Sequence, residues 1–237
     1  MKTTTKNITT LLSASAIVFA SSTVTAQDLS ITVTNLTQGL HFTSVITAAH
    51  ASDNHMFMVG SAATSELQMM AEGGDISGLV NMLSNADANI NENPAAGLLA
   101  PGMSTTYDLT NDSANTHLSM AAMILPSNDG FVGLDSWKIP TEAGTYTINL
   151  NAYDAGTEAN NELVNGGGAL GVLGIPAAPG GDAGTNGAGV TDTESNTMIH
   201  IHRGTLGDDA ADGGKSDLNN SIHRWLNPVA KLTITIQ

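Results

Sequence analysis

Alternating apolar and polar residues at the two ends of the chain predict a pair of β-strands. Residues 29–35 read Leu-Ser-Ile-Thr-Val-Thr-Asn and residues 229–236 read Val-Ala-Lys-Leu-Thr-Ile-Thr-Ile. This period of two is typical of a strand with one buried face, and the two strands could pair in one sheet. Further strands are predicted at residues 105–109, 117–125, 145–153 and 197–202. Their β-branched content and turn-rich borders favour an all-β, antiparallel β-sandwich over a helical bundle.

Three stretches break the alternating pattern. Residues 65–72 and 76–84 carry Leu, Met and Ala at spacings of three and four, followed by Gly73-Gly74 and by Asn-rich sequence respectively. This pattern predicts two short helical insertions. Residues 165–189 hold ten glycines in 25 residues, too few apolar side chains to fold alone, so a Gly-rich loop or insertion is expected there.

The first residues of the chain resemble a secretory signal. Lys2 and Lys6 precede an apolar stretch at residues 11–20, and Val24-Thr25-Ala26 is a small-residue cleavage motif. Residues 1–26 are therefore predicted to be a signal peptide, and residues 27–237 a single exported domain, periplasmic or extracellular. The apolar stretch is shorter than the roughly twenty residues of a membrane-spanning helix, so no transmembrane segment is expected.

Composition narrows the classes of partner and chemistry. Without the predicted signal, 22 acidic residues face five basic ones, a formal charge of −17. Nucleic acid and anionic lipid are disfavoured as partners, whereas metal cations are favoured; an acidic surface that only maintains solubility is the alternative.

The chain has no cysteine, which excludes disulfides, thiolate metal sites and cysteine nucleophiles. Neither a Gly-x-Ser-x-Gly nor a His-Glu-x-x-His motif is present, so no catalytic residue is assigned and no enzyme activity is predicted.

Two acidic clusters each follow a predicted strand. They are Ser-Asn-Asp-Gly at residues 127–130 and Asp-Ala-Gly-Thr-Glu at residues 154–158. If both loops lie at one end of the fold, their carboxylates could converge on calcium, which accepts six to eight oxygen ligands including carbonyls and water. The alternative is an Asx turn, in which the side chain bonds its own backbone.

Histidines provide a second set of candidate metal ligands. His200 and His202 lie two residues apart on a predicted strand, so they share a face and could bind zinc or copper together. A third ligand such as His223 would be needed, and exposed histidines at a strand edge are the alternative interpretation. Residues 208–217 resemble a calcium loop, but Ala210 stands where an oxygen ligand belongs, so an acidic turn is preferred.

Five segments of the chain agree in order and spacing with one known domain family. They are Leu-Pro-Ser-Asn-Asp-Gly-Phe-Val-Gly at residues 125–133, Asn-Ala-Tyr-Asp-Ala-Gly-Thr-Glu at residues 151–158, residues 223–234, and, upstream, residues 57–60 and 67–75. Together they resemble the spondin domain family. The resemblance implies a β-sandwich similar to the calcium-dependent lipid-binding domains of the protein kinase C type. It also implies that calcium is held by Asp129, Asp154 and Glu158.

The chain departs from the family pattern in three respects. Animal members have cysteines in or near the domain, an aromatic residue often stands where Gly130 is, and Asp is usual in place of Glu158. The predicted function is an exported calcium-binding recognition or adhesion module, not an enzyme, whose partner is an extracellular glycan, protein or surface. Two alternatives remain open: a structural envelope protein without a small ligand, and a metal carrier or enzyme built around the histidines.

Overall fold

The computed structural model describes residues 26–177 and 184–237, which form ten β-strands and two short α-helices. The predicted signal peptide, residues 1–26, lies outside the described residues except for Ala26. Within the described ranges, no helix has the length and apolar character needed to cross a bilayer. The strands are β1 (Gln27–Asn35), β2 (His41–Phe42), β3 (Ile46–His50), β4 (Asn89–Glu92), β5 (Ser104–Asn111), β6 (His117–Leu125), β7 (Gly130–Lys138), β8 (Gly144–Asp154), β9 (His200–Ile201) and β10 (Ala230–Ile236).

Eight strands form one antiparallel sheet in the order β4-β3-β6-β7-β8-β10-β1-β5, with β2 added to β6 and β9 added to β8. The long strand β8 joins the two halves because residues 144–150 pair with β10 and residues 151–154 pair with β7. The end strands β4 and β5 approach each other, and Asn91 Nδ2 donates to the Asp108 carbonyl at 3.3 Å. The sheet is therefore barrel-like and nearly closed.

The interior of this sheet holds the larger hydrophobic core. Alternate residues of β1, β6 and β10 point inward and are fully or almost fully buried, as a period of two requires. Trp225 and Val229 pack against the same core from the segment before β10. The inward residues of these three strands are Leu29, Ile31, Val33, Leu118, Met120, Ala122, Ile124, Ala230, Leu232, Ile234 and Ile236.

The outer face of β3, β6 and β7 is covered by the helices α1 (Ser65–Gly73) and α2 (Ser77–Ser84). Leu67, Met70 and Leu79 of these helices pack against this face to form a second core. Strand β6 is consequently buried on both faces. The helix α1 begins where Thr64 Oγ1 accepts from Leu67 N at 3.2 Å, and it ends at Gly74 in the left-handed region with φ 73°.

Most of the predicted elements are confirmed. The terminal strands pair antiparallel, with Ile31 opposite Ile234, and both predicted helices form. The fold is mostly β with antiparallel strands, as predicted, but one continuous sheet takes the place of the two sheets of a sandwich because β8 belongs to both halves. The prediction of a strand over residues 197–202 was wrong in extent: the strand is His200–Ile201 alone, and Ile199 instead exchanges hydrogen bonds with Gly60 and Ser61.

Residues 165–177 and 184–189 of the Gly-rich segment contain no named helix or strand. Asp217 is one of the residues that attach this segment to the remainder of the fold. Asp217 Oδ1 accepts from Thr185 N at 2.9 Å and Gly187 N at 2.8 Å, and Oδ2 accepts from Val164 N at 2.7 Å. A Cβ at Gly184 would lie 2.4 Å from Asp217 Cγ, so glycine is required for this close approach.

Replacing Asp217 with alanine is expected to loosen the Gly-rich segment without unfolding the sheet. The substitution leaves three backbone donors without their acceptor, at a cost of about 1–3 kcal/mol each when buried. Thermolysin cleavage within residues 165–189 should become at least roughly tenfold faster, a factor that corresponds to about 1.4 kcal/mol of easier opening. Asp209→Ala, at an exposed position of the same acidic turn, is the control. Unchanged cleavage in Asp217→Ala would show that Asp217 does not hold the segment.

Candidate functional site

The pairing of β7 with β8 brings the two predicted acidic clusters together. Gly130, the first residue of β7, lies opposite Asp154, the last residue of β8. Asp129 precedes Gly130, and its carbonyl accepts from Ala155 N at 3.2 Å. The chain then turns so that Thr157 and Glu158 return to the Asp129 side chain. The antiparallel register therefore accounts for a convergence that the sequence could only propose.

The carboxylate of Asp129 is fully buried, and hydrogen bonds reach only one of its two oxygens. Asp129 is 0% exposed. Its Oδ2 accepts from Thr157 N at 2.8 Å, from Thr157 Oγ1 at 3.2 Å and from Glu158 N at 3.2 Å. Its Oδ1 has no hydrogen-bond partner in the described part of the chain. Such an oxygen is costly to bury unless a donor or a cation reaches it.

Glu158 shows the same division between its two oxygens. Glu158 is 3% exposed, and its Oε2 accepts from Asn128 Nδ2 at 3.2 Å and Gly174 N at 2.9 Å. Its Oε1 is buried and has no partner among the described residues. Glu158 also lines a cavity of about 250 Å³ together with Asn161 and Asp192.

Asp154 differs from the other two carboxylates. It is 1% exposed, but both of its oxygens accept hydrogen bonds, Oδ1 from Gly156 N at 2.8 Å and Oδ2 from Asn160 Nδ2 at 2.6 Å. Asp154 lines a separate cavity of about 240 Å³ with Glu194 and His200. The structure thus leaves one oxygen unsatisfied on each of Asp129 and Glu158, and it places the Asp154 carboxylate beside a neighbouring cavity.

Burial makes the charged forms of all three carboxylates unfavourable. It raises the pKa of Asp129 to about 7, with a further increase from the charge of Asp154. Burial likewise raises the pKa of Glu158 to about 7, and the charge of Glu72 adds to the effect. The pKa of Asp154 is raised by burial as well. A bound cation would favour the ionised forms and reverse these shifts.

The donor set is one of oxygens, which suits calcium rather than zinc or copper. Within residues 26–177 and 184–237, no three Asp, Glu, His or Cys side chains are arranged as a metal cluster. A calcium ion bound by two carboxylates would also need carbonyl, amide or water oxygens, which calcium accepts. Asn128 and Asn160, which bond to Glu158 and Asp154, are parts of the site that the sequence reasoning left unassigned. Asn128 lies within the acidic cluster that was predicted, whereas no sequence signal marks Asn160.

The three candidate histidines have separate environments. His200 Nδ1 donates to the Met198 carbonyl at 2.8 Å, and its Nε2 lies 3.8 Å from Asp154 Oδ2. His202 is buried against Trp225 with ring centroids 4.8 Å apart, and burial lowers its pKa to about 3. His223 Nδ1 accepts from Asn219 N at 3.0 Å. A transition-metal site formed by these residues stays a prediction.

The acidic turn at residues 208–217 is held together by its own backbone. Asp208 Oδ2 accepts from Lys215 N at 2.7 Å and Ser216 N at 2.9 Å, and Oδ1 accepts from Ala210 N at 3.0 Å. Both carboxylate oxygens are satisfied, in contrast to those of Asp129 and Glu158. This arrangement is the expected acidic turn.

Comparison with known proteins identifies the class to which this fold belongs. Residues 33–163, more than half of the chain, match the family model Spondin_N. The chain belongs to the Spondin_N family, whose domains are extracellular, adhesion-type modules and typically non-enzymatic. A search of curated proteins gives no match. The matched region contains Asp129, Asp154 and Glu158, whereas the three histidines lie beyond it.

Proposed function

We propose that the protein is an exported recognition or adhesion module whose loops are organised by calcium at Asp129 and Glu158, with Asp154 alongside. The observation that carries this proposal is the pair of buried carboxylate oxygens, Asp129 Oδ1 and Glu158 Oε1, that lack a partner in the described residues. Their raised pKa values and their place within the Spondin_N match support it. Residues 27–237 act as one domain in this proposal, after removal of a signal peptide at residues 1–26.

Calcium would act here by fixing the positions of three segments relative to one another. Asp129 belongs to the turn before β7, and Glu158 belongs to the loop after β8. Glu158 also accepts from Gly174 N at 2.9 Å, which connects the Gly-rich segment to the same carboxylate. Neutralising the two carboxylates lets these segments remain packed at neutral pH, where otherwise like charges would repel. The ordered loops would then form the surface for an extracellular glycan, protein or cell-surface partner.

Thermal melting with and without calcium tests the proposal. For the fragment 27–237, millimolar calcium should raise the melting temperature relative to excess chelator. A ligand at a hundred times its dissociation constant stabilises by about 2.7 kcal/mol, which for a domain of this size corresponds to roughly 5–10 °C. Extracellular calcium modules have dissociation constants of roughly 10⁻⁴ to 10⁻³ M, so 10 mM calcium is the appropriate upper concentration.

Matched variants separate the site from general charge screening. Asp129→Asn and Glu158→Gln should each abolish most of the calcium-dependent rise. Asp108→Asn removes one negative charge from an exposed position of β5 and should keep the full rise. No rise in the parent protein, or an equal rise with magnesium and with sodium chloride of the same ionic strength, would contradict calcium binding. A scaffold without a small ligand would then be the better description.

A further inference from the structure

Both arginines of this acidic chain line the same cavity. Arg203 and Arg224 are the two arginines in the sequence, and they border a cavity of about 620 Å³ beyond the Spondin_N match. Its other lining residues are Thr205, Leu206, Trp225 and Leu226. This volume lies within the roughly 300–1,000 Å³ of small-molecule sites.

The two segments that carry the arginines pack closely through their backbones. Gly204 has φ 87°, and a Cβ at this position would lie 2.8 Å from the Trp225 carbonyl, so the segments around Gly204 and Trp225 are in close contact. Arg224 Nε donates to the Leu206 carbonyl at 2.6 Å, and Arg203 Nη2 donates to the Asn160 carbonyl at 3.0 Å. Each guanidinium is thereby held in place by a carbonyl, which leaves most of its five donors available.

The cavity is rich in donors and poor in acceptors. In the described part of the chain, neither arginine forms an ion pair with a carboxylate, although Arg203 also borders the cavity that contains Asp154 and Glu194. Trp225 is 8% exposed, and its buried Nε1–H has no acceptor among the described residues.

The cavity also has an apolar border. Leu226 is 85% exposed and Leu206 is 47% exposed, next to two positive charges. Exposed aliphatic side chains beside convergent polar groups are characteristic of sites that bind a ligand with one charged and one apolar end. A highly hydrated inorganic anion would leave these side chains unused.

We propose that this cavity binds a carboxylate that adjoins an apolar group, with Arg203 and Arg224 contacting the carboxylate and Leu206 and Leu226 contacting the apolar part. Guanidinium groups match the planar carboxylate with paired, charge-assisted hydrogen bonds. A free alkyl carboxylic acid and a peptide that ends in an apolar residue present the same chemistry, and both are tested.

Isothermal titration calorimetry with defined probes tests this assignment. The fragment 27–237 is titrated in excess chelator with octanoate, with octanamide, and with an acetylated tripeptide that ends in leucine as the free acid or as the amide. At least one carboxylate should bind, at least roughly tenfold more tightly than its amide, because hydrogen bonds from guanidinium groups to a charged acceptor are stronger than those to a neutral one. Binding of octanoate alone or of the peptide acid alone identifies the source of the carboxylate.

Variants locate the binding site. Arg203→Gln and Arg224→Gln should each weaken carboxylate binding at least roughly tenfold. Lys231→Gln, an equal change of charge at an exposed position of β10, should leave binding unchanged. Arg224 also donates a hydrogen bond to the Leu206 carbonyl, so Arg224→Gln could alter the local backbone. Arg224→Lys is therefore measured as a second variant, which keeps the charge but lacks the planar guanidinium, and it should also bind the carboxylate more weakly. No binding of either carboxylate at 10 mM, equal binding of acid and amide, or an equal loss in Lys231→Gln would overturn the proposal.

Discussion

Replacing Asp129 with asparagine is expected to stabilise the calcium-free protein at pH 8, although the same change removes its response to calcium. The three donors on Asp129 Oδ2, which are Thr157 N, Thr157 Oγ1 and Glu158 N, can be accepted equally by an amide oxygen. The substitution removes a buried negative charge that has no cation beside it. Relief of an uncompensated buried charge should raise the melting temperature in chelator by roughly 4–10 °C.

The pH dependence of the calcium-free protein provides an independent measurement of the same effect. Burial raises the folded-state pKa of Asp129 and of Glu158 to about 7, above the ordinary values of an unfolded chain. An acid with a raised folded pKa lowers stability as pH rises from its unfolded pKa to its folded pKa. The melting temperature in chelator should therefore fall between about pH 4.5 and pH 7.5, and saturating calcium should remove most of this fall.

Asp208 provides a control because its pKa is shifted in the opposite direction from those of Asp129 and Glu158. Hydrogen bonds from the backbone of Ser216, Lys215 and Ala210 lower its pKa, so its contribution to stability is present at neutral pH and is lost as the medium becomes acidic. Asp208→Asn should not stabilise the protein at pH 8 and should leave the calcium response intact. If Asp129→Asn instead destabilises the chelated protein at pH 8, the Asp129 charge is already compensated and the candidate site loses its main support.

The terminal strands could be predicted from sequence because each has one exposed face. Strands β1 and β10 have polar residues at every second position, so their period of two is visible and their pairing is confirmed. Strand β3 has all five residues buried, and β7 contains two glycines and begins with four buried residues. Neither of these strands alternates and neither was predicted, although β6, which the helices also cover, was predicted over its full length.

The residues of the candidate site could be proposed from the sequence, but the arrangement of their oxygens could not. Acidic clusters at the ends of strands identified Asp129, Asp154 and Glu158, and the register of β7 with β8 brings their backbones together. Which carboxylate oxygens remain unsatisfied depends on contacts with distant residues, such as Gly174 with Glu158. No sequence motif marked the residues that line the cavity of Arg203 and Arg224. The one indication in the sequence was that the chain contains only these two arginines.

The two candidate sites are connected through a single asparagine. Asn160 Nδ2 donates to Asp154 Oδ2 at 2.6 Å, and the Asn160 carbonyl accepts from Arg203 Nη2 at 3.0 Å. The loop that follows β8 therefore carries Glu158 on one side and holds Arg203 on the other. Ordering of this loop at the carboxylates would also fix the position of one arginine, which makes the loop the physical link between the two proposed sites.

Phe131→Ala is expected to be the most destabilising of the substitutions considered. Phe131 is fully buried on the outer face of β7, where it packs edge-to-face on Phe57 with ring centroids 5.0 Å apart and lies 5.6 Å from the Tyr153 ring. Phe57 in turn covers Gly133, where a Cβ would come within 2.7 Å of its ring. Truncation of a buried phenylalanine to alanine costs about 3–5 kcal/mol because it removes apolar contacts and leaves a cavity.

Urea denaturation of the parent protein and variants measures this loss. Phe131→Leu, which keeps part of the volume, should lose clearly less stability than Phe131→Ala, and Leu226→Ala at an 85% exposed position should change stability by no more than about 0.5 kcal/mol. Phe131 pairs with Tyr153 one residue from the Gly130–Asp154 pair, so Phe131→Ala should also weaken calcium binding by loosening the junction of β7 and β8. If Phe131→Ala lowers the free energy of unfolding by less than about 1 kcal/mol, the cavity it creates must close without loss of packing. The packing of the Phe57, Phe131 and Tyr153 rings would then not support the carboxylate site.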